Sequence, residues 1–482
     1  MTDQLSLFID AGDNDGNGAA NAPIGNNWID QAGGDGSHDF TFATGSWGGS
    51  GITGDPYYRQ FSGVAGTDSA INSEVSGDFA GTYEIWIQPA DIINFQAPVF
   101  LGNSGVTLEA FSIALNFPVQ GAASAEFAGN KGARYERGYN VNLWYHIAVV
   151  KTAGAINATT TVYVNGVAQV FTTGVQSGDT PNVSNAPFRL GDFGGAGGEL
   201  DGKLSICRYY KKALTATEIR QNYNSEAARF NLPVKRYALN GLVLDFNAAA
   251  KNGALSTGDI SADNDAVWFD LAQGRNGNLE NFNFGTVDSG WDGDGTPASN
   301  PYCLKLDDIN DDVDILIPSA VSPPYTIEMW GYFRQLSQPP GNYAYLVQLR
   351  NGATDVASIS RYAPDGTNDD RLYSWNGGVN LTQETISGQA WHHVTLLVDA
   401  GDVLHIYVDG VEYNLIAPTA HPNSFNQVVM GKYKSNSHFL YGFIAQMRAY
   451  NRALNFVEIN ANLNATLGPF SESTKGTTIK GG

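Results

Sequence analysis

The sequence contains two copies of one module, and this duplication constrains the fold more than any other feature. The segment WYHIAVVKTAGAINATTTVYVNGVAQVF, which begins at Trp144, returns as WHHVTLLVDAGDVLHIYVDGVEYNL from Trp391. The segment TYEIWIQPADI, which contains Trp86, returns as TIEMWGYFRQL, which contains Trp330. The offset between the copies drifts by only a few residues, which indicates loop insertions inside a shared fold. A duplication of one domain is therefore predicted, rather than a solenoid of short repeats.

Within each copy the pattern is one of short strands joined by tight turns. The runs HIAVV and HVTLLV are β-branched, and TTTVYVNG and LHIYVDG alternate in polarity before a turn. Asn165-Gly166 and Asp409-Gly410 supply residues that tolerate the positive φ of a type I′ hairpin. Many short strands with glycine-rich turns predict antiparallel β-sandwiches.

Each copy also contains one helical segment. Thr215 with Glu218, and Asn455 with Glu458, match the capping box that begins a helix. We therefore predict an all-β chain of two tandem antiparallel β-sandwich domains, each with one short helix. The predicted boundaries are residues 1–228 for the first domain, 229–240 for a linker, 241–467 for the second domain and 468–482 for a polar C-terminal tail.

Composition excludes several classes of function. The 482 residues carry a formal net charge of −21, which repels nucleic acid phosphates and anionic membranes. No stretch is long and apolar enough to be inserted in a membrane, so we predict no membrane insertion. Two cysteines cannot form a disulfide scaffold. The opening MTDQLSLFID lacks the basic and apolar regions of a signal peptide, so we expect synthesis without export.

The repeated motifs resemble those of a known family. The string W-Y/H-H-I/V, the hairpin V-Y-V-N-G, and the later R-x-Y-x-K/R-A-L-T-x-x-E-I are similar to laminin-G-like, concanavalin-type jelly-roll modules. They occupy residues 144–147, 162–166 and 208–219 in the first copy and recur in the second. The resemblance implies two concanavalin-like jelly-roll domains. That family includes lectins, adhesion modules, glycosidase appendages and virion proteins, so fold alone does not fix function.

One subgroup of this family is more similar to the present sequence than the others. The string LVLDFNAA…VWFDLAQGRNGNLEN…YCLKLDDINDDVDI resembles virion structural proteins of tailed bacteriophages. This resemblance implies a non-enzymatic capsid decoration or fibre component, made in the host cytoplasm and located in the virion. Its partners would be other virion proteins, further copies of itself and host surface glycans. A glycan-binding lectin or adhesin is the alternative, and a polysaccharide hydrolase or lyase is the third hypothesis.

Two acidic segments are candidate calcium sites. Asp13, Asp15 and Asn17 match the first half of a calcium loop, although no carboxylate stands at the twelfth position. The alternative is a polar Asx turn. Asp307 and Asp311 belong to a second segment, LKLDDINDDVDI, whose five close carboxylates need either solvent or a cation. We expect these acids to be solvated at a strand–turn–strand edge, with calcium as the competing hypothesis.

Three tryptophans are candidate sugar platforms. Trp47, Trp291 and Trp375 fall in glycine-rich segments, where we expect an indole ring to be exposed for glycan binding. The alternative is that these rings close the ends of the sandwich or contact a neighbouring subunit.

The sequence gives little support for a catalytic site. The E-x-D-x-x-E strand of laminarinase-type enzymes does not occur, and Glu84 and Glu328 are single acids beside strand tryptophans. His146 and His393 occupy matching strand positions with no nearby nucleophile, so we predict buried imidazoles whose hydrogen bonds are satisfied. No enzymatic activity is predicted.

Overall fold

The computed structural model divides the chain into two compact units, unit 1 (Met1–Lys235) and unit 2 (Arg236–Gly482). The structure describes residues 5–13, 23, 25–32, 38–42, 45–64, 69–71, 75–117, 120–135, 139–170, 177–184, 188–193, 197–286, 288–297, 299–334, 343–362, 371–375, 384–385, 389–413, 423–433 and 438–470.

Unit 1 contains two large antiparallel sheets in its described residues. The eight-stranded sheet has the spatial order Val167–Ala168, Thr160–Val164, Tyr145–Lys151, Gly81–Pro89, Asp201–Tyr210, Tyr58–Ser62 and Ser46–Gly48, with Leu5–Asp10 also paired to Asp201–Tyr210. The six-stranded sheet has the order Lys131–Tyr135, Ala123–Phe127, Ala110–Leu115, Gln96–Gly102, Phe188–Leu190 and Ser69–Ile71. Asn27–Trp28 and Phe40–Thr41 form a small extra pair.

Unit 2 repeats this architecture in the residues that the structure describes. One eight-stranded sheet has the order Gly290–Asp292, Cys303–Asp307, Tyr441–Tyr450, Tyr325–Phe333, Trp391–Val398, Leu404–Val408 and Val411–Tyr413, with Leu242–Asn247 also paired to Tyr441–Tyr450. The facing sheet has the order Val267–Trp268, Gly277–Glu280, Asp312–Val321, Phe425–Met430, Tyr343–Asn351, Thr354–Tyr362, Arg371–Trp375 and Glu384–Thr385.

The core of each unit lies between its two sheets. In unit 1, alternate residues such as Ile85 and Ile147 from one sheet meet Val99 and Ile113 from the other, all fully buried or nearly so. This alternation arises because successive strand residues point to opposite faces. The predicted all-β fold of two β-sandwich domains is confirmed.

A helix covers the outer face of one sheet in each unit. These helices are Ala216–Glu226 and Phe456–Thr466, and both begin with the predicted capping box. Unit 1 has in addition a single helical turn, Ile156–Thr159. None of the helices in the described residues is long and apolar enough to cross a membrane.

The repeated tryptophans lie under these helices rather than between the sheets. Trp86 and Trp330 are fully buried, and their rings stack on Phe230 at 3.9 Å and on Phe470 at 4.3 Å. The predicted equivalence of Trp86 and Trp330 is confirmed. Each unit is therefore three layers deep, with one outer sheet face covered by a helix.

Two predicted segments prove to be part of the packed units. Phe230 and Leu232 of the predicted linker 229–240 are buried against Trp86 in unit 1. Phe470, which we assigned to the polar tail 468–482, is buried in unit 2. Apolar side chains after the helix pack back on the sheet, which polarity-based boundaries did not anticipate.

Removal of a helix cap gives a first testable prediction. The side-chain oxygen of Thr215 accepts a hydrogen bond from the Glu218 amide, so Thr215→Ala leaves that donor unpaired. We expect a loss of about 1 kcal/mol in the stability of the helix on its sheet. Hydrogen exchange of peptides from Ala216–Glu226 measures this loss, with Thr215→Ser as the matched control that keeps the cap. Equal exchange in the two variants would contradict the role of the cap.

Candidate functional site

The predicted sugar platforms are placed differently from our expectation. Trp291 is only 1% exposed: its ring meets Trp268 edge-on at 5.3 Å, and its Nε1 donates to the Asp265 carbonyl oxygen. The expectation of an exposed Trp291 is therefore wrong, because a tryptophan from a distant strand covers it. Trp47 forms the same edge-on pair with Trp28 in unit 1 and is partly buried.

The remaining glycan and calcium candidates are only partly described. Trp375 ends a strand and pairs in backbone register with Ser358, but its side chain lies outside the description. Asp13 ends a 3-10 turn, where its carbonyl oxygen accepts a hydrogen bond from Gln31. Asp15 and Asn17 lie outside the described residues.

The second acidic segment forms the predicted strand–turn–strand edge, but two of its acids are not solvated. Asp311 and Asp312 are 1% and 0% exposed, and burial raises their pKa values to about 7 and about 6. Lys432 compensates Asp312 with an ion pair of 2.9 Å. The expectation of solvation is wrong for these two residues, because Asp311 accepts a hydrogen bond from the Asp307 amide and Asp312 pairs with Lys432, both away from solvent.

Asp307 lines a polar cleft of about 420 Å³ together with Asp288 and Asp308. Its Oδ1 accepts hydrogen bonds from the amides of Ile309 and Asn310, in an Asx turn. Within the described ranges, no group of three or more His, Cys, Asp or Glu side chains is arranged to hold a metal ion. Calcium binding at this segment stays a prediction.

A buried polar cluster repeats in both units beneath the helix. In unit 1 the Glu84 carboxylate accepts two hydrogen bonds from the Asn222 amide, at 2.9 and 3.1 Å. Asn222 also donates to the Tyr210 hydroxyl, and His146 Nε2 lies 3.7 Å from Glu84 Oε1. Because every one of these side chains is buried or nearly so, the cluster ties the helix to the sheet rather than meeting a ligand.

Unit 2 contains the same cluster in Glu328, Asn462, Tyr450 and His393. Burial raises the pKa of Glu328 to about 7 and lowers that of His393 to about 3. Among the described residues, the ring nitrogens of His146 and His393 have no hydrogen-bond partner. Burial of both imidazoles is confirmed, but the prediction that their hydrogen bonds are satisfied is wrong.

A recess of the size of a ligand pocket lies on the outer face of the six-stranded sheet in unit 1, opposite the face that packs into the core. This phenylalanine cleft has a volume of about 490 Å³, within the usual range of ligand pockets. Its lining residues are Phe95, Phe100, Ser104, Ala110, Phe111, Ser112, Phe117, Glu126, Phe127, Ala128, Gly129, Asn130 and Phe193.

The aromatic side of the cleft consists of rings set at steep angles. Phe95 meets Phe117 at 75° and Phe193 at 84°, with ring centroids 5.7 and 5.3 Å apart. Phe100 rises from the strand Gln96–Gly102 and contacts Phe193 at 4.8 Å. Phe95, Phe117 and Phe193 are only partly buried, so their ring surfaces remain available to a ligand.

The polar side of the cleft is an ion pair. Arg134 donates to both carboxylate oxygens of Glu126 at 2.8 Å and to Asn130 Oδ1 at 2.7 Å. The Arg134 guanidinium also lies 4.8 Å from the ring centroid of Phe117, which joins the two sides. Burial raises the pKa of Glu126, although Arg134 opposes this rise.

A glycine makes this ion pair possible. Gly132 stands opposite Glu126 in the neighbouring strand, and a Cβ there would lie 2.5 Å from Glu126 Oε1. The absence of a side chain at Gly132 lets the carboxylate lie flat on the sheet beside Arg134. Sequence reasoning missed this cleft, since its aromatic residues come from separate loops and strand ends. The run AEFAGNKGARY did contain a signal, because it places Glu126 and Arg134 on one face of a hairpin.

Unit 2 has different residues at the equivalent positions. Strand pairing places Gln348 where unit 1 has Phe100. Gln348 Nε2 donates to Asp355 at 3.1 Å, and the Tyr433 hydroxyl lies 3.3 Å from the same carboxylate. In unit 2 these positions therefore carry hydrogen-bonded polar side chains beside an aromatic contact of Tyr345 with Tyr433, whose ring centroids are 5.0 Å apart.

Comparison with known proteins indicates the family to which this chain is similar. A family model described as the concanavalin A-like lectin/glucanases superfamily matches residues 61–220 and 310–460, one region in each unit. A search of curated proteins gives no match.

Several solved structures match this chain at low sequence identity and low TM-score. Domain 4 of AbnA, a GH43 extracellular arabinanase from Geobacillus stearothermophilus, in complex with arabinotriose, is 20% identical with a TM-score of 0.32, over 45% of this chain and 96% of that one. Trypanosoma rangeli sialidase in complex with sialic acid is 12% identical with a TM-score of 0.35, and the match covers 88% of this chain and 61% of the sialidase. The binding domain of Paraclostridial Mosquitocidal Protein 1 is 14% identical with a TM-score of 0.34, over 80% and 92% of the two chains.

Proposed function

The chain belongs to the concanavalin A-like lectin/glucanases superfamily, and we propose that it binds a glycan in the phenylalanine cleft of unit 1. The observation that carries this proposal is the placement of partly buried rings beside hydrogen-bonding side chains in one recess. A sugar presents both kinds of surface, because its C–H groups pack on aromatic rings and its hydroxyls need polar partners. Glu126, Asn130 and Ser104 supply such partners.

The hydrogen bonds of the Glu126 carboxylate favour glycan binding over glycan hydrolysis. Glycoside hydrolysis uses two carboxyl groups, one of which transfers a proton to the leaving oxygen. Both oxygens of Glu126 instead accept hydrogen bonds from Arg134, so this carboxylate is held as an oriented acceptor. The net charge of −21 also disfavours polyanionic glycans through long-range repulsion. We therefore propose a neutral glycan and a role in recognition.

Truncation of a cleft ring tests this proposal. We expect Phe193→Ala to weaken glycan binding by about tenfold, because a partly buried ring that contacts the ligand is lost. A glycan array identifies the ligand for the full chain, and isothermal titration calorimetry then compares the variants. Phe8→Ala is the matched control, since Phe8 lies on the eight-stranded sheet beside Arg208 and should leave affinity unchanged.

Equal affinities for Phe193→Ala and the unaltered chain would place the glycan elsewhere, and an array without any bound glycan would rule out the function. The virion location, the partnership with other virion proteins and the bound calcium stay predictions, and no observation on the described residues favours one of them. Mass spectrometry of purified phage particles is the test of the virion role.

A further inference from the structure

The shape of the phenylalanine cleft indicates which kind of glycan fits into it. A flat sugar face stacks best on a flat aromatic platform. The rings of Phe95, Phe117 and Phe193 instead meet at 75° and 84°, so together they form the walls of a recess. Such walls surround a compact group that projects from a ring, rather than support the ring on one face.

The chemistry of the recess is as selective as its shape. Four phenylalanine rings outside the inter-sheet core line the recess, those of Phe95, Phe100, Phe117 and Phe193, and Ala110 and Ala128 add to the apolar surface beside Phe100. A hydroxyl group held against these rings, away from the polar lining residues Ser104, Ser112, Glu126 and Asn130, would lose its water without gaining a hydrogen-bond partner, which is costly. A methyl group in the same place would gain apolar contact with several rings.

The polar lining residues Ser104, Ser112, Glu126 and Asn130 belong to the same recess as the rings. Arg134 contacts the ring of Phe117 from the side that holds Glu126 and Asn130. A ligand that fills both parts therefore has a polyhydroxylated ring and, attached to it, one small apolar substituent.

We propose that the cleft selects sugars that carry a methyl-terminated substituent, as 6-deoxy sugars and N-acetylated sugars do. This inference rests on the proposed glycan-binding function. The methyl group packs on the ring surfaces that Phe95, Phe100 and Phe193 present to the recess, and the ring hydroxyls of the sugar meet Glu126 and Asn130. One methyl group in an apolar pocket changes affinity by about 10- to 200-fold.

Matched pairs of free sugars test the inference with the unaltered full chain. The pairs are L-fucose with L-galactose, L-rhamnose with L-mannose, and N-acetylglucosamine with glucose. Calorimetry gives the ratio of the two binding affinities within each pair. We expect a preference of at least about tenfold for the methyl-bearing member of one or more pairs. The first two pairs report on a 6-deoxy group and the third on an N-acetyl group. Saturation-transfer NMR should show the strongest transfer to the methyl protons, and Phe193→Ala should reduce it while Phe8→Ala does not.

The outcomes separate this inference from the function on which it rests. Ratios near one in every pair, with measurable binding of the parent sugars, overturn the methyl preference and leave glycan binding in place. Failure of all six sugars together with an array that shows only glycans without methyl groups also overturns it. An array that shows no glycan at all removes both the function and the inference.

Discussion

The variants Glu328→Gln and His393→Gln should give unit 2 opposite dependences of stability on pH between pH 4.5 and 6.5. Relative to the unaltered chain, we expect the stability of Glu328→Gln to rise by roughly 2–3 kcal/mol across this window, and that of His393→Gln to fall by a similar amount, because the buried Asp311 and Asp312 contribute equally to all three proteins. In the unaltered chain the two contributions cancel, so its profile should lie between those of the variants.

The burial of Glu328 determines the sign of its contribution to the pH dependence of stability. Its pKa is raised from 4.5 in the unfolded chain to about 7 in the folded one. The folded state therefore holds a proton that the unfolded state has lost between these values. The stabilisation by protonated Glu328 is fully present below pH 4.5 and is lost as pH rises to about 7.

The contribution of His393 to the pH dependence of stability has the opposite sign. Its pKa is lowered from 6.5 in the unfolded chain to about 3 in the folded one, mainly by burial and then by Arg448. The unfolded state binds the proton first, so stability falls as pH drops from 6.5 towards 3. The two windows overlap between pH 4.5 and 6.5, where each group contributes about 1.4 kcal/mol per pH unit with opposite sign.

Urea denaturation at several pH values, followed by hydrogen exchange of peptides from Tyr325–Phe333, measures these profiles for unit 2. Val457→Ala is the control, because this exposed residue of the helix Phe456–Thr466 has no titratable group and should leave the slope unchanged. Parallel profiles for Glu328→Gln and His393→Gln would show that the two buried groups do not titrate in opposite directions.

Trp330→Ala should cause the largest loss of stability in unit 2, about 3–5 kcal/mol. The fully buried ring stacks on Phe470, and its Nε1 donates to Thr466 Oγ1 at 2.8 Å. Removal of the ring leaves a cavity under the helix and takes away the donor to the Thr466 hydroxyl, which keeps its own bond to the Asn462 carbonyl oxygen. Trp330→Phe keeps most of the stacking and should cost less.

Hydrogen exchange measured across the full chain also tests Trp330→Ala. Peptides from Phe456–Thr466 should exchange much faster, because that helix lies over the missing ring. Trp86→Ala is the matched variant and should produce the same change in Ala216–Glu226 of unit 1. Unchanged exchange over the helix in both variants would mean that the tryptophans do not hold the helices in place.

Local features of the fold were predictable from the sequence. Strand alternation, the turns at Asn165-Gly166 and Asp409-Gly410, and the two capping boxes depend on neighbouring residues, and all appear in the structure. The duplication added long-range information, because it required Trp86 and Trp330 to occupy equivalent places. Their position under a helix, rather than between the sheets, was not visible in a pattern of strands alone.

The candidate site was not predicted, for a physical reason. Glycine-rich surroundings indicated exposure for Trp291, but its burial depends on Trp268, a residue of another strand. The burial of Asp311 likewise depends on the packing of the sandwich around it. The phenylalanine cleft brings together Phe95, Phe117 and Phe193, which are far apart in sequence, so only the strand pairing reveals their contact.

The stacking of Phe470 on Trp330, and of Phe230 on Trp86, has a practical consequence for the expression of either unit by itself. A fragment trimmed to the family match, 61–220 or 310–460, would lack the phenylalanine that closes the layer beneath the helix. It would also lack the first strand of its unit, Leu5–Asp10 or Leu242–Asn247, and expose a strand edge to self-association. Cloning boundaries for a single soluble unit should therefore enclose both the opening strand and the closing phenylalanine.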